Sequence, residues 1–389
     1  MKSHFPFFKN NQDIVFLDSA ASSQIHENVL NKINSVYENN YANIHRGLYK
    51  QSEKTSLQYD ESRKLVAEYI NAETNEIVWT TGTTDGLNLL ANHYYETLDK
   101  GDIILLSKME HHANLVPWQR LLSKGIILEF INVSDGVLDI KDFKEKISKK
   151  VKVISICHAS NVTGVINPIK FIIQESKKYN IDVIIDAAQT FSHINIDVKE
   201  INCDYLVFSA HKAYGPNGVG CLYAKKEKLK NLTLYRVGGD TIDTVTYKKT
   251  LFLDPPQCFE AGTPNISGII AFSESIKFLK KHRDELNNAE LLIPLVTFLK
   301  ENNFHIIAEN IYRVPIISTY HDTINSFDLA YYLSIKNVCC RIGDHCAMPF
   351  IKENLKISGT IRFSLGIYND KNDIDKTIEV IKKYLKRSN

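Results

Sequence analysis

The sequence predicts an α/β protein with a mainly parallel sheet and a smaller second α/β domain. Several strand-like runs are apolar throughout, which is typical of strands buried on both faces, and helical stretches separate them. The chain has 389 residues, more than one core of ordinary size accommodates, so we expect two domains.

Strand and helix patterns alternate from about residue 76 to 224. The predicted strands are 76–79, 102–106, 126–133, 151–157, 181–185 and 205–208. Helices are predicted to begin near Asp85 and to lie around 115–122. Segment 237–257 carries Gly, Asp, Thr and Pro with weak periodicity, which indicates a long loop or a hairpin.

The C-terminal part begins with a helical pattern that is predicted to run from Ser267 to about Asn302. Alternating strand and helix segments follow at 314–320, 328–335, 338–342, 360–365 and 373–385. We therefore expect an N-terminal arm (1–12), a large domain (13–267) and a small C-terminal domain (268–389).

The composition is that of a soluble globular protein, with 44% hydrophobic and 24% charged residues. A formal net charge of +2 gives no reason to expect nucleic acid or an anionic membrane as a partner. No apolar stretch approaches the length of a membrane span, and the first residues lack the apolar centre of a signal peptide. We expect a cytoplasmic protein.

The seven cysteines do not form CxxC pairs. Cys157, Cys203 and Cys221 lie in or beside apolar runs, where a buried, inert thiol is expected. Cys346 lies in the polar, turn-like segment 343–349 and is a candidate nucleophile, although an idle surface thiol is the commoner case.

Polar residues follow the predicted strands, just after their carboxyl ends. In open parallel sheets, ligands bind at this edge. The segments are 81–84, 110–114, 160–161, 186–189 and 209–212. Five independent segments at one edge predict a binding site there.

Lys212 follows an apolar strand directly, and burial there favours a neutral amine that can form a Schiff base with an aldehyde. A solvated lysine in a Gly/Pro turn is the alternative. Asp186 ends another apolar run, so its carboxylate needs a cation, either a protonated pyridine nitrogen or a structural ion-pair partner.

The remaining segments offer phosphate contacts and an aromatic imidazole. Thr83 and Thr84 at a helix start can bind a phosphate, or they can be an ordinary helix cap. Ser209 and His211 offer a second phosphate contact. His111 can lie on an aromatic ring and move protons; a zinc site is the alternative, but an HExxH spacing is absent.

Together these groups describe a site for pyridoxal 5'-phosphate. The chain resembles the Suf-type cysteine desulfurases, within the class V aminotransferases and the wider aspartate-aminotransferase fold (PLP-dependent fold type I). The segments that carry the resemblance are 17–22, 45–47, 82–86, 109–114, 160–164, 186–189, 209–212, 259–264 and 341–349, with Arg362.

The resemblance implies a role for each residue. Lys212 would hold the cofactor, Asp186 its pyridine nitrogen and Gln189 its ring hydroxyl, while His111 would stack on the ring. The phosphate would be bound by Thr83, Thr84, Ser209 and His211, joined by Gly262 and Thr263 from a second subunit. Arg362 and Asn161, with Arg341 and His45, would bind the substrate.

The implied reaction converts L-cysteine to L-alanine and leaves a persulfide on Cys346. Lys212, Cys346 and His111 would be catalytic, no metal would be required, and a homodimer would pass sulfur to an acceptor protein for iron–sulfur cluster assembly. A selenocysteine lyase shares every cofactor motif and is the alternative enzyme. A catalytically idle scaffold for a sulfur-transfer partner is the alternative outside catalysis.

Two positions depart from the usual pattern of the family. Cys258 stands where arginine is usual, and Asp344 stands where histidine is frequent. A carboxylate two residues before the nucleophile would oppose thiolate formation at Cys346 unless it is turned away or paired.

Overall fold

A seven-stranded sheet lies at the centre of the computed structural model, which describes residues 1–309 and 312–388. Along the whole described chain, the strands are β1 (Val15–Phe16), β2 (Ile77–Thr80), β3 (Ile103–Ser107), β4 (Ile127–Ile131), β5 (Val133–Ser134), β6 (Val137–Leu138), β7 (Val151–Cys157), β8 (Asp182–Asp186), β9 (Tyr205–Ser209), β10 (Gly220–Ala224), β11 (Ile242–Val245), β12 (Thr250–Phe252), β13 (His305–Ile306), β14 (Ile316–Tyr320), β15 (Val338–Cys339), β16 (Arg341–Gly343) and β17 (Thr360–Ser364).

Helices surround the sheets, and short 3-10 turns connect many of them. The α-helices are α1 (Pro6–Asn10), α2 (Glu27–Asn39), α3 (Lys50–Tyr69), α4 (Thr83–Thr97), α5 (Val116–Gln119), α6 (Ile140–Lys146), α7 (Ile169–Lys177), α8 (Val198–Ile201), α9 (Lys226–Leu229), α10 (Ile266–Lys281), α11 (Ile293–Glu301), α12 (Ser326–Ile335) and α13 (Lys371–Ser388). A π-helical turn spans Phe350–Asn354.

The large sheet has the strand order β2-β10-β9-β8-β7-β3-β4. All neighbours pair in parallel except β10, which is antiparallel to both β9 and β2. This mainly parallel sheet confirms the predicted fold class. Strand β10 is absent from the sequence prediction, because its short apolar run after a Gly-rich turn has no helix before it.

Both faces of the large sheet are covered. In β9, Leu206 and Phe208 belong to one buried cluster, whereas Tyr205 and Val207 belong to another on the opposite face. Successive side chains of a strand point to opposite faces, so a strand covered on both sides is apolar throughout. The continuous apolar runs in the sequence have this cause.

The predicted helix from 267 to 302 is wrong in its length. Helix α10 ends at Lys281, two 3-10 turns follow, and α11 begins at Ile293. Asn287 and Asn288 in the break have low helix propensity, and Pro294 occupies the first turn of α11, where proline is well tolerated.

The C-terminal part contains a four-stranded antiparallel sheet with the order β13-β14-β17-β16. Helices α11, α12 and α13 pack with this sheet around a separate buried cluster. Strand β1 pairs with β15, and Asp18 bridges to Ser364, so residues 15–18 join this part of the protein. The domain bounds given above stay a prediction.

The N-terminal residues form a 3-10 turn and α1. Phe5 is fully buried against the rings of Tyr214, Phe278 and Tyr368, and Lys2 forms an ion pair with Asp373 at 2.5 Å. The segment therefore contacts both the large and the C-terminal part.

The sequence predicts a long loop or a hairpin for segment 237–257. The structure shows a hairpin there, formed by the antiparallel strands β11 and β12. Its tip is open to solvent, with Val245 and Tyr247 strongly exposed. Among the described residues, none of the helices has the length and apolar content that crossing a membrane requires.

Candidate active site

A cavity of about 480 Å³ lies at the carboxyl ends of the parallel strands. Residues from the ends of β2, β3, β7, β8 and β9 meet there with two segments of the C-terminal part. The predicted site residues that line it are Thr83, Thr84, His111, Asn161, Asp186, Gln189, Ser209, His211, Lys212, Arg341, Cys346 and Arg362. The cavity therefore lies at the edge of the sheet where the sequence predicts a binding site.

The start of helix α4 forms one end of the cavity. The Thr83 N–H donates to Ser209 Oγ at 2.8 Å, and the Thr83 and Ser209 hydroxyls lie 2.8 Å apart. Gly82 has φ 154°, and a Cβ on Gly220 would lie 2.5 Å from the Gly82 Cα, so both glycines are required for this close approach. A helix start with two hydroxyls can bind an anion.

Lys212 and Asp186 lie in the middle of the cavity. Burial lowers the pKa of Lys212 to about 8, although the nearby Asp186 carboxylate opposes this effect. Burial raises the pKa of Asp186. Two contacts oppose this rise: the Ala188 N–H, which donates to Oδ1 at 2.9 Å, and the nearby Lys212 amine. The site therefore holds an amine that loses its proton readily and a carboxylate that gains from a cationic partner.

His111 is a neutral imidazole in this site. Burial, with Lys212 and His112 close by, lowers its pKa to about 3. Its Nδ1 accepts a hydrogen bond from the Ala113 N–H at 3.0 Å, so the ring hydrogen is on Nε2. In the described part of the chain, His, Cys, Asp and Glu side chains form no group of three or more that could hold a metal ion.

Two arginines share one carboxylate at the other end of the cavity. Arg341 binds Asp18 through Nε and Nη2, with a shortest distance of 2.8 Å, and Arg362 Nη2 lies 3.3 Å from the same carboxylate. Arg362 is 2% exposed and also donates to the Asn161 carbonyl at 3.0 Å. Its Nε has no hydrogen-bond partner among the described residues. Burial lowers the pKa of Arg362 to about 10, so the guanidinium stays charged at neutral pH.

Cys346 is exposed and lies on a tightly bound loop, which we call the Cys346 loop (residues 343–348). Asn161 Nδ2 donates to the His345 carbonyl at 2.6 Å, and His345 Nε2 lies 2.7 Å from Thr360 Oγ1. The Cys346 sulfur is close enough to Lys212, Arg341 and Arg362 to interact electrostatically with all three.

The carboxylate of Asp344 does not stand unpaired beside the nucleophile. Its Oδ1 lies 3.4 Å from Lys352 Nζ, on the π-helical turn that follows the loop. The sequence named this residue as an obstacle to a thiolate at Cys346 unless it is turned away or paired, and the structure gives it Lys352 as an ion-pair partner.

The residues present fit pyridoxal 5'-phosphate. The helix start at Thr83 matches the phosphate, the Asp186 carboxylate matches a protonated ring nitrogen, and the Lys212 amine matches the aldehyde. The unpartnered Arg362 Nε matches a substrate carboxylate. Gln189 donates to the Ala20 carbonyl at 2.9 Å, which fixes its amide at the cavity wall.

Three predicted site residues lie elsewhere in this chain. His45 and Gly262 line a second cavity of about 300 Å³, and Thr263 is exposed next to it. The resemblance already assigned Gly262 and Thr263 to a neighbouring subunit, which is compatible with their absence from the lining of the Lys212 cavity.

Sequence reasoning assigned no role to Asp18 and Glu110, which shape the site. The motif Leu17-Asp18-Ser19 was visible in the sequence, but its contact with two arginines was not. Glu110 is 3% exposed and accepts hydrogen bonds from Asn114 Nδ2 and the Cys157 N–H, so it fixes the turn that carries His111. Burial raises the pKa of Glu110 to about 7.

The other cysteines are mostly buried. The prediction of buried thiols at Cys157, Cys203 and Cys221 is confirmed. Cys258 is also buried, next to Phe259 in the core, and burial raises the pKa of its thiol to about 11.

Comparison with known sequences identifies the family. The pattern of the family "Aminotransferase class-V" matches residues 15–377. A cysteine desulfurase from Wigglesworthia glossinidia brevipalpis is 37% identical, with 100% of this chain and 98% of that protein covered. A probable cysteine desulfurase from Pyrococcus abyssi is 36% identical over 96% of this chain and 95% of its own length.

Solved structures agree with the sequence comparison. The apo structure of a cysteine desulfurase from Thermococcus onnurineus matches with a TM-score of 0.95 at 32% identity, covering 99% of this chain and 97% of that one. A cysteine desulfurase from Escherichia coli matches with a TM-score of 0.92 at 28% identity, with the same coverage. These relatives and structures are cysteine desulfurases, and the matches extend over the full length of the chain. This chain therefore belongs to the class-V aminotransferase family.

Proposed function

We propose that this chain is a cysteine desulfurase that depends on pyridoxal 5'-phosphate and converts L-cysteine to L-alanine, with a persulfide on Cys346. One observation carries the proposal: a cysteine thiol, an amine with a lowered pKa and a buried guanidinium whose Nε–H has no partner among the described residues line the same cavity. When bound, the cofactor supplies an electron sink for charge that develops at the substrate Cα.

Lys212 binds the cofactor aldehyde and moves the substrate proton. Because burial lowers the pKa of this amine to about 8, a useful fraction of it is neutral near neutral pH and can accept the Cα proton. Asp186 would pair with the protonated ring nitrogen of the bound cofactor, and the neutral imidazole of His111 would pack on its ring.

Arg362 orients the substrate through its carboxylate. The guanidinium is fixed by the Asn161 carbonyl and by Asp18, and its Nε–H is left for a further acceptor. Asn161 donates its side-chain amide to the Cys346 loop, so we assign it a part in holding the loop as well as the substrate. Arg341 is engaged with Asp18 and supports the charge of the site.

Cys346 takes the sulfur atom. Its thiolate attacks the substrate sulfur, the new S–S bond forms, and the substrate C–S bond breaks with its electron pair going to carbon. Protonation of that carbon gives alanine, and the atoms balance as cysteine plus thiol giving alanine plus persulfide. The Cys346 sulfur lies close enough to Lys212, Arg341 and Arg362 to interact with all three, so it faces the cavity in which the substrate would bind.

We further propose a homodimer in which His45, Gly262 and Thr263 reach the cavity of the other subunit. The support is that these residues lie outside the chain's own cavity, and that Val245, Tyr247 and other apolar side chains of the nearby hairpin are exposed.

The destination of the sulfur is also a proposal. A short loop around Cys346 favours the Suf-type group, in which a separate acceptor protein takes the persulfide sulfur for iron–sulfur cluster assembly. All seven cysteines are free thiols, which supports a reducing, cytoplasmic location.

A single-turnover reaction with L-cysteine tests the function. We expect one alanine and one persulfide per chain from the unaltered protein, and no alanine from Cys346→Ala, which should still bind the cofactor. If both proteins bind the cofactor and neither produces alanine, cysteine is not the substrate. If Cys346→Ala forms alanine from L-selenocysteine but not from L-cysteine, the protein is instead a selenocysteine lyase.

A further inference from the structure

One residue binds two consecutive peptide groups directly after the thiol-bearing residue. The His112 N–H donates to the Cys346 carbonyl at 2.6 Å. The Met348 N–H donates to the His112 ring at Nε2, at 3.0 Å. His112 is thus the partner of the two consecutive peptide groups that follow the Cys346 Cα.

The conformation of the Cys346 loop makes these contacts important. His345 has φ 50° and Cys346 has φ 55°, so two consecutive residues with a Cβ lie in the left-handed region. Residues other than glycine adopt this region rarely, and consecutive ones do so only where the surroundings hold them. Without its contacts, the loop would relax and the thiol would move.

The ring contact defines the state of His112. Since the Met348 N–H is a donor, Nε2 must carry no hydrogen, and the neutral ring has its hydrogen on Nδ1. His111 has the opposite arrangement, with Nδ1 as the acceptor. The adjacent histidines therefore serve two sides of the site, His111 the cavity and His112 the loop.

We propose that His112 is a positioning residue that fixes the Cys346 thiol for attack on the substrate sulfur. This inference rests on the proposed role of Cys346. A displacement of reacting atoms by about 1 Å can lower a rate on the order of 100-fold, and the loss falls on the chemical step when substrate binding is intact.

The test compares the holoenzyme variants His112→Ala and His112→Gln. In His112→Ala, we expect kcat for alanine formation to fall on the order of 100-fold, while KM for cysteine and the absorbance of the bound cofactor stay unchanged. His112→Gln should recover most of kcat, since its amide oxygen reaches the place of Nε2 and can accept the Met348 N–H. His305→Ala, on the surface of the C-terminal sheet, is the matched control.

A second variant removes the other partner of the same hydrogen bond. Met348→Pro has no N–H, and proline is tolerated at the helix start where Met348 lies. Its kcat should fall as in His112→Ala, and the double variant should be no slower than either single variant, because both remove one interaction. If His112→Ala fails to fold, Met348→Pro alone tests the same hydrogen bond, and normal kcat in Met348→Pro overturns the inference.

Normal kcat in His112→Ala would overturn the inference, as would an additive loss in the double variant. The Cys346→Ala reaction separates the two proposals. Alanine formation by Cys346→Ala at the normal rate refutes the proposed function, whereas its absence together with normal kcat in His112→Ala refutes the role of His112 alone.

Discussion

Arg362 provides a sharp test of how the substrate is held. In Arg362→Ala, the cavity loses the guanidinium, but Asp18 keeps its ion pair with Arg341 at 2.8 Å. No carboxylate is left buried without a partner, so we expect the variant to fold and to bind the cofactor.

The expected loss follows from the donors of Arg362. A guanidinium has five N–H groups, and the structure uses one on the Asn161 carbonyl and one on Asp18. The Nε–H and the remaining groups are available for a carboxylate. A hydrogen bond with a charged partner contributes about 1.5–3 kcal/mol, so losing one such bond to the substrate carboxylate should lower kcat/KM for L-cysteine by roughly 10- to 150-fold.

The assay compares L-cysteine with cysteamine, which has the same thiol and amine but no carboxylate. Sulfur transfer from cysteamine to Cys346 should be slow in the unaltered enzyme and equally slow in Arg362→Ala. Two results would refute this role of Arg362. One is a kcat/KM for cysteine in Arg362→Ala that stays within about threefold of that of the unaltered enzyme. The other is a substitution that lowers kcat/KM by the same factor for cysteamine and for cysteine.

Two further predictions concern charge in buried places. When apoenzyme is mixed with cofactor at increasing pH, the rate of Lys212 coupling should rise about tenfold per pH unit below its pKa of about 8 and level off above it; a rate that still rises through pH 10 contradicts this. Glu260→Gln leaves Arg63, its bidentate partner at 2.6 and 2.8 Å, charged and buried, and should cost about 3–5 kcal/mol. Its melting temperature should fall clearly, whereas Glu175→Gln, which removes a surface pair, should leave it almost unchanged.

Sequence patterns predicted the large sheet well because its strands are covered on both faces. Leu206 and Val207 face opposite clusters, so neither position can be polar, and the run stands out from its surroundings. The edge that carries Asp186 and Lys212 followed from the same pattern. Parallel strands that end in polar residues bring those residues together without any further information.

Contacts between distant segments could not be predicted in this way. Asp18 meets Arg341 and Arg362 only because β1 pairs with β15 and Asp18 bridges to Ser364, more than 300 residues away along the chain. The break after α10 is of the same kind. Leu286 lies in this break and is buried by tertiary packing. Its apolar side chain therefore extends the helical pattern of the sequence beyond Lys281, where the helix ends.

The way the Cys346 loop is held bears on how sulfur leaves the enzyme. Asn161 and His112 bind the carbonyls of His345 and Cys346, and His112 also receives the Met348 N–H. A loop fixed at three successive places cannot carry the thiol far from the cavity. Cys346 is nevertheless exposed, whereas the cavity residues Asp186 and Arg362 are almost fully buried. In the proposed sulfur transfer, an acceptor would therefore have to approach Cys346 at the mouth of the cavity, since the loop would not carry the thiol out to it.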